Sequence, residues 1–473
     1  MRKWTVVAAV AIGMLMSMMD QSIVNLALPT LTRAFRSEFS VVQWIVLAYM
    51  LTVTTLMLGV ARLGDMVGTK PVYLAGVILF TAASAACGIH ISIAWLIGAR
   101  VVQGIGAAMI AAIGAAIIAE TFPPHERGKA IGIVGSVASL GIVLGPTLGG
   151  VILSALSWNW LFLINVPIGV VTVALAARFI AFVPPVGGQR FDYVGAGTLF
   201  VATVTLLLAL TLGQRNGFAQ PTVFALFALS SVAFAAFVAI ELRTEQPMIA
   251  PSLFRSTLFT SSLVASVLSF MSVAGTLTLM PFYLQNVLGY DPRQAGLMMV
   301  VFPIALAVTS PIAGALADRH GSRVITVVGL TVSLAGYYGL SSLDASTSTL
   351  GYLARYVPLG VGLGLFISPN NSAMLDAAPP EHRGIASGLM SVARALGQTF
   401  GFATLGAFWA SRVAVHAGGV SFGGATSAPS HAQVEGLHDT SFAAMFLIAL
   451  ALAVALFELH CERRARGVAA NAS

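Results

Sequence analysis

One carboxylate lies in the interior of a long apolar run: Asp20, in Met19-Asp20-Gln21-x-x-Val24-Asn25-x-Ala27-Leu28-Pro29. Glu120, Glu241 and Glu458 stand only near the ends of such runs. A carboxylate held in hydrocarbon is expensive and is a functional candidate by default. Burial disfavours its charge and a nearby cation favours it, so their balance can poise the group to exchange a proton. Arg100 can supply the cation, in Arg100-x-x-Gln103-Gly104-x-Gly106 within a separate apolar run. Asp20 lies about 12 Å from the end of its run and Arg100 about 9 Å from the matching end of its own, at 1.5 Å per residue, so the two can meet. The plainer alternative is a buried ion pair that only fixes helix packing. Arg355 reaches a similar depth later in the chain, with no acid at the position matching Asp20. Proton coupling is therefore expected to be lopsided toward the first half. Arg394 has no evident acidic partner and is expected to face an anionic substrate or a water-filled cavity.

No other chemistry is written in the chain. Two cysteines, Cys87 and Cys461, give neither a disulfide framework nor metal-ligand spacing. There is no His-Glu-x-x-His pattern and no phosphate-cradling glycine loop. The expectation is no enzyme, no metal and no cofactor.

Those residues must be positioned by membrane helices. Of 473 residues 58% are hydrophobic and 9% charged, with a mean hydropathy of +0.91. A water-soluble domain carries roughly 25% charged residues, so lipid must cover most of this surface. A crossing helix needs roughly 20 apolar residues. Runs of that kind fall at 5–28, 42–61, 72–90, 94–118, 130–153, 160–182, 193–213, 221–241, 258–284, 294–316, 323–342, 349–373, 385–409 and 441–460. The first, after Arg2-Lys3, is long enough to read as a span and not as a signal peptide. Fourteen spans put both termini on one side. With the N-terminus inside, 16 of the 24 Lys and Arg residues fall on that side, 5 outside and 3 within spans. The positive-inside bias therefore makes both termini cytoplasmic, and it accounts for the formal charge of +7 without a nucleic-acid partner.

The chain also repeats itself. Pro123-Pro124-His125-Glu126-Arg127-Gly128 returns as Pro379-Pro380-Glu381-His382-Arg383-Gly384, shifted by 256. Glu120 returns as Asp376, and Gly132, Gly141 and Gly145 as Gly388, Gly397 and Gly401, with the same shift. Leu63-Gly64-Asp65-x-x-Gly68-x-Lys70 returns as Leu316-Ala317-Asp318-x-x-Gly321-x-Arg323, shifted by 253. Spans 1–6 thus match spans 9–14, and the central pair has no counterpart. Repeated halves are how many secondary transporters alternate access.

The loop segment Gly314-x-Leu316-x-Asp318-Arg319-x-Gly321-x-Arg323 resembles the loop signature of the major facilitator superfamily. Its first-half copy is degraded, with Ala61, Met66 and Thr69 at signature positions. The resemblance implies a cytoplasmic gate in which Asp65, beside Gly68, and Asp318 bond a helix start in the opposite half. A carboxylate is favoured at a helix N-terminus. Glu120, Arg127, Arg319, Arg323, Asp376 and Arg383 would extend this latch, or else serve as ordinary loop charge. Gly132-x8-Gly141-x3-Gly145-Pro146-x2-Gly149-Gly150 resembles the superfamily's antiporter motif. Glycines at helical spacing let backbones approach closely, and Pro146 removes a helical hydrogen bond. The Asp20 segment resembles the first-helix motif of the fourteen-helix drug:proton antiporters, where the aspartate is linked to proton coupling. The Arg100 segment resembles their fourth-helix motif. Ser157-Trp158-x-Trp160-x-Phe162-Leu163-Ile164-Asn165-x-Pro167 and Tyr283-Leu284-Gln285 are weaker echoes of the same branch.

The expected protein is an all-α integral membrane transporter of the major facilitator fold. It comprises a six-helix bundle over 1–182, a linker with two extra helices over 183–257, and a second bundle with a cytoplasmic tail over 258–473. It is expected in the cell (inner) membrane as a monomer, exporting small amphipathic drugs or antiseptics in exchange for protons. A midplane substrate cavity is expected to be bordered by Trp44, Tyr49, Gln103, Tyr283, Gln285 and Arg394. A dedicated exporter of one metabolite, and a non-transporting membrane sensor, are the alternatives.

Overall fold

A segment crossing hydrocarbon must satisfy its own backbone, which a helix does within itself. The computed structural model describes residues 2–89, 91–184, 193–216, 219–244, 251–379, 383–419 and 424–472. Helices form wherever the apolar runs lie. The first half carries α1 (Arg2–Phe35), the short α2 (Phe39–Val42), α3 (Trp44–Val67), α4 (Thr69–Cys87), α5 (Ile93–Thr121), α6 (Pro124–Ala155), the short α7 (Trp160–Leu163) and α8 (Asn165–Phe179). The central pair is α9 (Tyr193–Asn216) and α10 (Pro221–Glu241). The remainder carries α11 (Thr257–Phe282), α12 (Pro292–Met299), α13 (Val301–His320), α14 (Ser322–Leu340), α15 (Thr349–Ala377), α16 (Arg383–His416) and α17 (Ser430–Ala472). No strand occurs among the described residues.

Twelve spans among the described residues are long and apolar enough to cross a membrane. The two expected runs outside that set are both helical. The apolar stretch of α9, Gly197–Gly213, is shorter, and α16 carries Ser387, Ser391, Arg394 and Gln398 on one face. Two expected spans are interrupted. Residues 160–182 break at Ile164 into α7 and α8, and 294–316 breaks at Val300 into α12 and α13. Pro167 and Pro303 lie just past these breaks, and each lacks the N–H that would bond the carbonyl four residues earlier.

The chain divides into two compact units, Met1–Met248 with Leu284–Val300, and Ile249–Tyr283 with Val301–Ser473. In the first unit α1 packs on α6, α5 on α3 and α4, and α8 on α1 and α4. In the second, α11 packs on α16, α15 on α13 and α14, and α17 on α11 and α14. These are the same pairings, so the sequence repeat is a repeat of packing. α9 and α10 pack on each other and α9 also meets α3, within the first unit.

The repeat extends to the helix ends. Ser92 caps α5 by accepting from the Trp95 amide, and Ser348, shifted by 256, caps α15 by accepting from the Gly351 amide. Gly68 and Gly321, related by 253, separate α3 from α4 and α13 from α14 with φ of 100° and 88°. A Cβ resists that left-handed geometry, which is why the loop signature carries glycine at this position.

Candidate functional site

The charges expected to meet do meet, inside the first unit. Asp20 of α1 and Arg100 of α5 are completely buried, and Arg100 Nη1 lies 2.5 Å from Asp20 Oδ2. The other carboxylate oxygen, Oδ1, accepts from Gln103 Nε2 at 2.9 Å and from Asn165 Nδ2 at 2.8 Å. Arg100 and Gln103 stand one helical turn apart on α5, so both reach the same carboxylate. Asn165 is placed by the start of α8, just past the break at Ile164. Ser84 of α4 ties the amides together, accepting from Gln103 at 3.1 Å and Asn165 at 3.0 Å while donating to the Phe162 carbonyl at 2.9 Å.

The arginine is held through Nη1 and Nε, while its buried Nη2 has no hydrogen-bond partner among the described residues. Its Nη1 also donates to Gln103 Oε1 at 2.7 Å, and its Nε to the Ile45 carbonyl of α3 at 2.9 Å. The guanidinium lies 4.2 Å from the centre of the Tyr49 ring, a cation–π contact. The Tyr49 hydroxyl pairs in turn with Ser17 Oγ at 2.9 Å. Five helices thus build a closed cage around the carboxylate, with a guanidinium and two amide donors.

Among its described residues the second unit has nothing comparable. Tyr356 stands at the position related to Arg100 by 256, and Tyr337 at the position related to Ser84 by 253. Both are buried, with Thr276 donating to Tyr337. Arg355 donates to Ser342 Oγ at 2.9 Å and to the Gly351 carbonyl at 3.0 Å, close to a loop whose Asp344 carboxylate supplies an opposite charge.

The glycines of α6 face α1, the helix that carries Asp20. A Cβ on Gly141 would lie 2.6 Å from the Leu15 carbonyl oxygen, and one on Gly145 would overlap Ser22. Gly149 meets Ile23 and Leu26 less tightly, and Gly132 has open space around it. The second unit repeats this: Gly397 and Gly401 press on Val267 and Met271 of α11, and Gly388 is open. Close α1–α6 packing is therefore a property of both halves. What α6 alone possesses is the far end of the motif, where a Cβ on Gly150 would lie 2.5 Å from the Pro292 carbonyl oxygen of α12 and one on Gly296 of α12 would overlap the Pro146 carbonyl.

The loop residues are dispersed. Glu120 accepts from Thr69 Oγ1 at 2.7 Å, which sets its carboxylate at the start of α4 where the helix dipole favours it. Arg127 donates to the Phe122 carbonyl at 2.9 Å. Asp318, Arg319 and Asp376 are exposed and Arg323 is half-buried. Asp65 lies on α3, but its side chain, like that of Arg383, is outside the described residues. Lys3 and Glu126, absent from the sequence expectation, form an ion pair at 2.5 Å.

Of the residues expected to border a cavity, Tyr49 and Gln103 belong to the Asp20 cage. Tyr283 donates to the Asp344 carbonyl at 2.7 Å, and Gln285 lies in the turn of π-helix Tyr283–Val287. Gln285 donates to the Leu26 carbonyl and accepts from Arg33, both at 3.2 Å. Trp44 is half-buried at the start of α3, and Arg394 is exposed, over the Phe270 ring. Sequence reasoning missed Asn165 and Ser84 as ligands of the site. Asn165 had a signal, an amide at the mouth of an apolar span; Ser84 had none.

The Major Facilitator Superfamily profile matches residues 10–402. The riboflavin transporter RibZ of Clostridioides difficile is 34% identical over 86% of this chain and 89% of its own length. The multidrug resistance protein Stp of Mycobacterium tuberculosis is 36% identical over 85% and 75%. The tetracenomycin C resistance and export protein of Streptomyces glaucescens is 31% identical over 87% and 77%. Among solved structures, a bacterial homologue of the human lysosomal transporter Spinster aligns over 96% of both chains with a TM-score of 0.70 and 16% identity, a likeness of fold.

Proposed function

The chain belongs to the major facilitator superfamily of membrane transporters, and from that membership we propose that it exports small, largely apolar compounds in exchange for protons. The observation that carries the proposal is the Asp20 cage, a sealed carboxylate whose charge is held only while α1, α4, α5 and α8 stay in register. A proton arriving at Asp20 must release Arg100, and Arg100 is anchored to α3 through Ile45 and Tyr49. Proton binding and helix rearrangement are then one event, as coupled transport requires. The glycine face of α6 lies directly against α1, two positions from the carboxylate at Ser22, so movement of α1 is felt there.

Four further points belong to the proposal. The chain crosses the cell membrane fourteen times, α9 and α16 being the spans beyond the twelve. Both termini are cytoplasmic, following the Lys and Arg bias. The two six-span bundles, 1–182 and 258–473, flank the linker 183–257. It works as a monomer, with the loop residues Asp65 and Asp318 in the cytoplasmic gate. Relatives named for multidrug resistance and for export of tetracenomycin C favour drug efflux. The riboflavin transporter among the relatives favours a second reading, a carrier dedicated to one metabolite.

Vesicle transport of a panel of dyes and biocides under an imposed pH gradient tests both. Gradient-driven movement of several unrelated compounds supports drug efflux, and movement of one compound without competition from the others supports the dedicated carrier. No gradient-driven movement of any of them rejects proton exchange.

A further inference from the structure

Arg394 is the one span-interior cation for which the described residues offer no counter-charge. It makes no ion pair and no hydrogen bond among them, and its guanidinium carbon lies 5.4 Å from the centre of the Phe270 ring. Phe270 lies midway along α11, so the charge stands near the middle of the span and has not reached toward an interface. α11 offers no titratable group. The acids of the neighbouring helices are engaged or remote: Glu458 of α17 accepts from Ser262, and Asp376 lies at the end of α15.

The face of α16 around Arg394 is polar. Ser387, Ser391, Arg394 and Gln398 follow one another at helical spacing and keep accessible surface, while Leu389, Met390, Val392 and Ala393 between them are buried. Gln398 too makes no hydrogen bond among the described residues. A polar helix face with an unpaired arginine at mid-span is not tolerated against lipid, and such residues line aqueous pathways or pair with a ligand. The close approach of Gly397 to the Val267 carbonyl oxygen, at 2.7 Å for an added Cβ, fixes this face against α11.

We propose that Arg394, with Gln398 and Ser391 beside it and Phe270 beneath it, is the contact for an anionic oxygen group on the transported molecule. The guanidinium offers a fork of N–H donors suited to a carboxylate, sulfonate or phosphate, and the Phe270 ring offers an apolar platform for the part of the solute next to that group. This deepens the export reading and rests on it, since it names a property of the cargo. It separates the roles of the halves: Asp20 exchanges the proton and Arg394 selects the solute. An anionic lipid carries the same chemistry, but its phosphate belongs at the headgroup level, away from the depth of Phe270.

The test is equilibrium binding to purified full-length protein in phosphatidylcholine nanodiscs, with pyrene-1-butyrate and its methyl ester as a matched pair. The wild-type protein is expected to prefer the acid about tenfold after correction for empty nanodiscs, the effect of one charge-assisted contact. Arg394→Gln should abolish the preference, and Arg394→Lys should retain part of it. Ser391→Asp, which places a carboxylate one turn from the guanidinium, should abolish it while keeping the arginine, and so tests the site even if Arg394→Gln does not fold. Equal binding of acid and ester by the wild type, or an unchanged preference in Arg394→Gln or Ser391→Asp, overturns the proposal. So does loss of the preference when phosphatidylglycerol is added, which would assign the site to lipid. No pH gradient is imposed, so the result stands apart from the proton-exchange test: failure of gradient-driven transport leaves the preference measurable, and loss of the preference leaves gradient-driven transport measurable.

Discussion

Replacing Asp20 by Asn changes one atom of the side chain's outline and almost everything about its electrostatics. The carboxylate now accepts from Arg100 at one oxygen and from Gln103 and Asn165 at the other. An amide keeps one acceptor and turns the other into a donor that must face a donor already there. If its oxygen stays toward Arg100, the new N–H2 confronts both amides; if it turns toward them, it confronts the guanidinium. Either way Arg100 remains charged and fully buried with no counter-charge. Removing one partner of a buried pair costs about 3–5 kcal/mol, so Asp20→Asn should melt well below the wild type in detergent. The double variant Asp20→Asn/Arg100→Gln should recover much of the loss, because the orphaned charge is gone. Transport separates differently. One unit of pH difference holds about 1.4 kcal/mol per proton, enough to sustain about a tenfold solute gradient in one-for-one exchange. Wild-type vesicles should build such a gradient with a dye substrate, and both Asn variants should build none while still letting the dye equilibrate downhill. Undiminished accumulation by Asp20→Asn would refute the carboxylate's role. An unchanged melting temperature would refute the cage.

Three other outcomes follow from the geometry. Arg100→Lys keeps the charge but loses the planar stack on Tyr49 and the separate Nε bond to Ile45, so stability should fall by about 1–3 kcal/mol with coupling weakened and not abolished; thermal melting and gradient-driven uptake report the two effects. Gly145→Leu should disrupt folding or transport because its side chain enters the space of Ser22, whereas Gly132→Leu, with open space around it, should behave as the wild type in the same expression and transport assays. Gly321→Ala forces a Cβ onto a φ of 88° and should lower stability by about 1 kcal/mol, seen as a lower melting temperature with unchanged proton coupling.

The helices were legible because membrane solvation imposes long apolar runs, and the repeat because identical packing in two units keeps the same residues at the same offset. The Asp20–Arg100 pair was legible because two opposite charges at matched depth in an apolar medium have few other options. The amide and hydroxyl ligands were harder to see: Ser84 resembles other serines that merely bond their own helix in these spans, as Ser136 does to Gly132. The breaks at Ile164 and Val300 were unread although Pro167 and Pro303 marked them, since proline is common in membrane helices and only the fold decides which one interrupts. In sequence the antiporter-like glycines form one feature. The structure divides them, with Gly141 and Gly145 serving a contact common to both halves and Pro146 and Gly150 serving one particular to α6 and α12.

Proton counterflow tests the account most directly. Purified protein is reconstituted in vesicles loaded with a trapped pH-sensitive dye, both sides start at equal pH, and a transported compound is supplied on one side only. As the compound runs down its gradient, the account predicts that the wild type moves protons the opposite way and that Asp20→Asn moves none. Solute flux without any pH change, or the same pH change in both proteins, would contradict it.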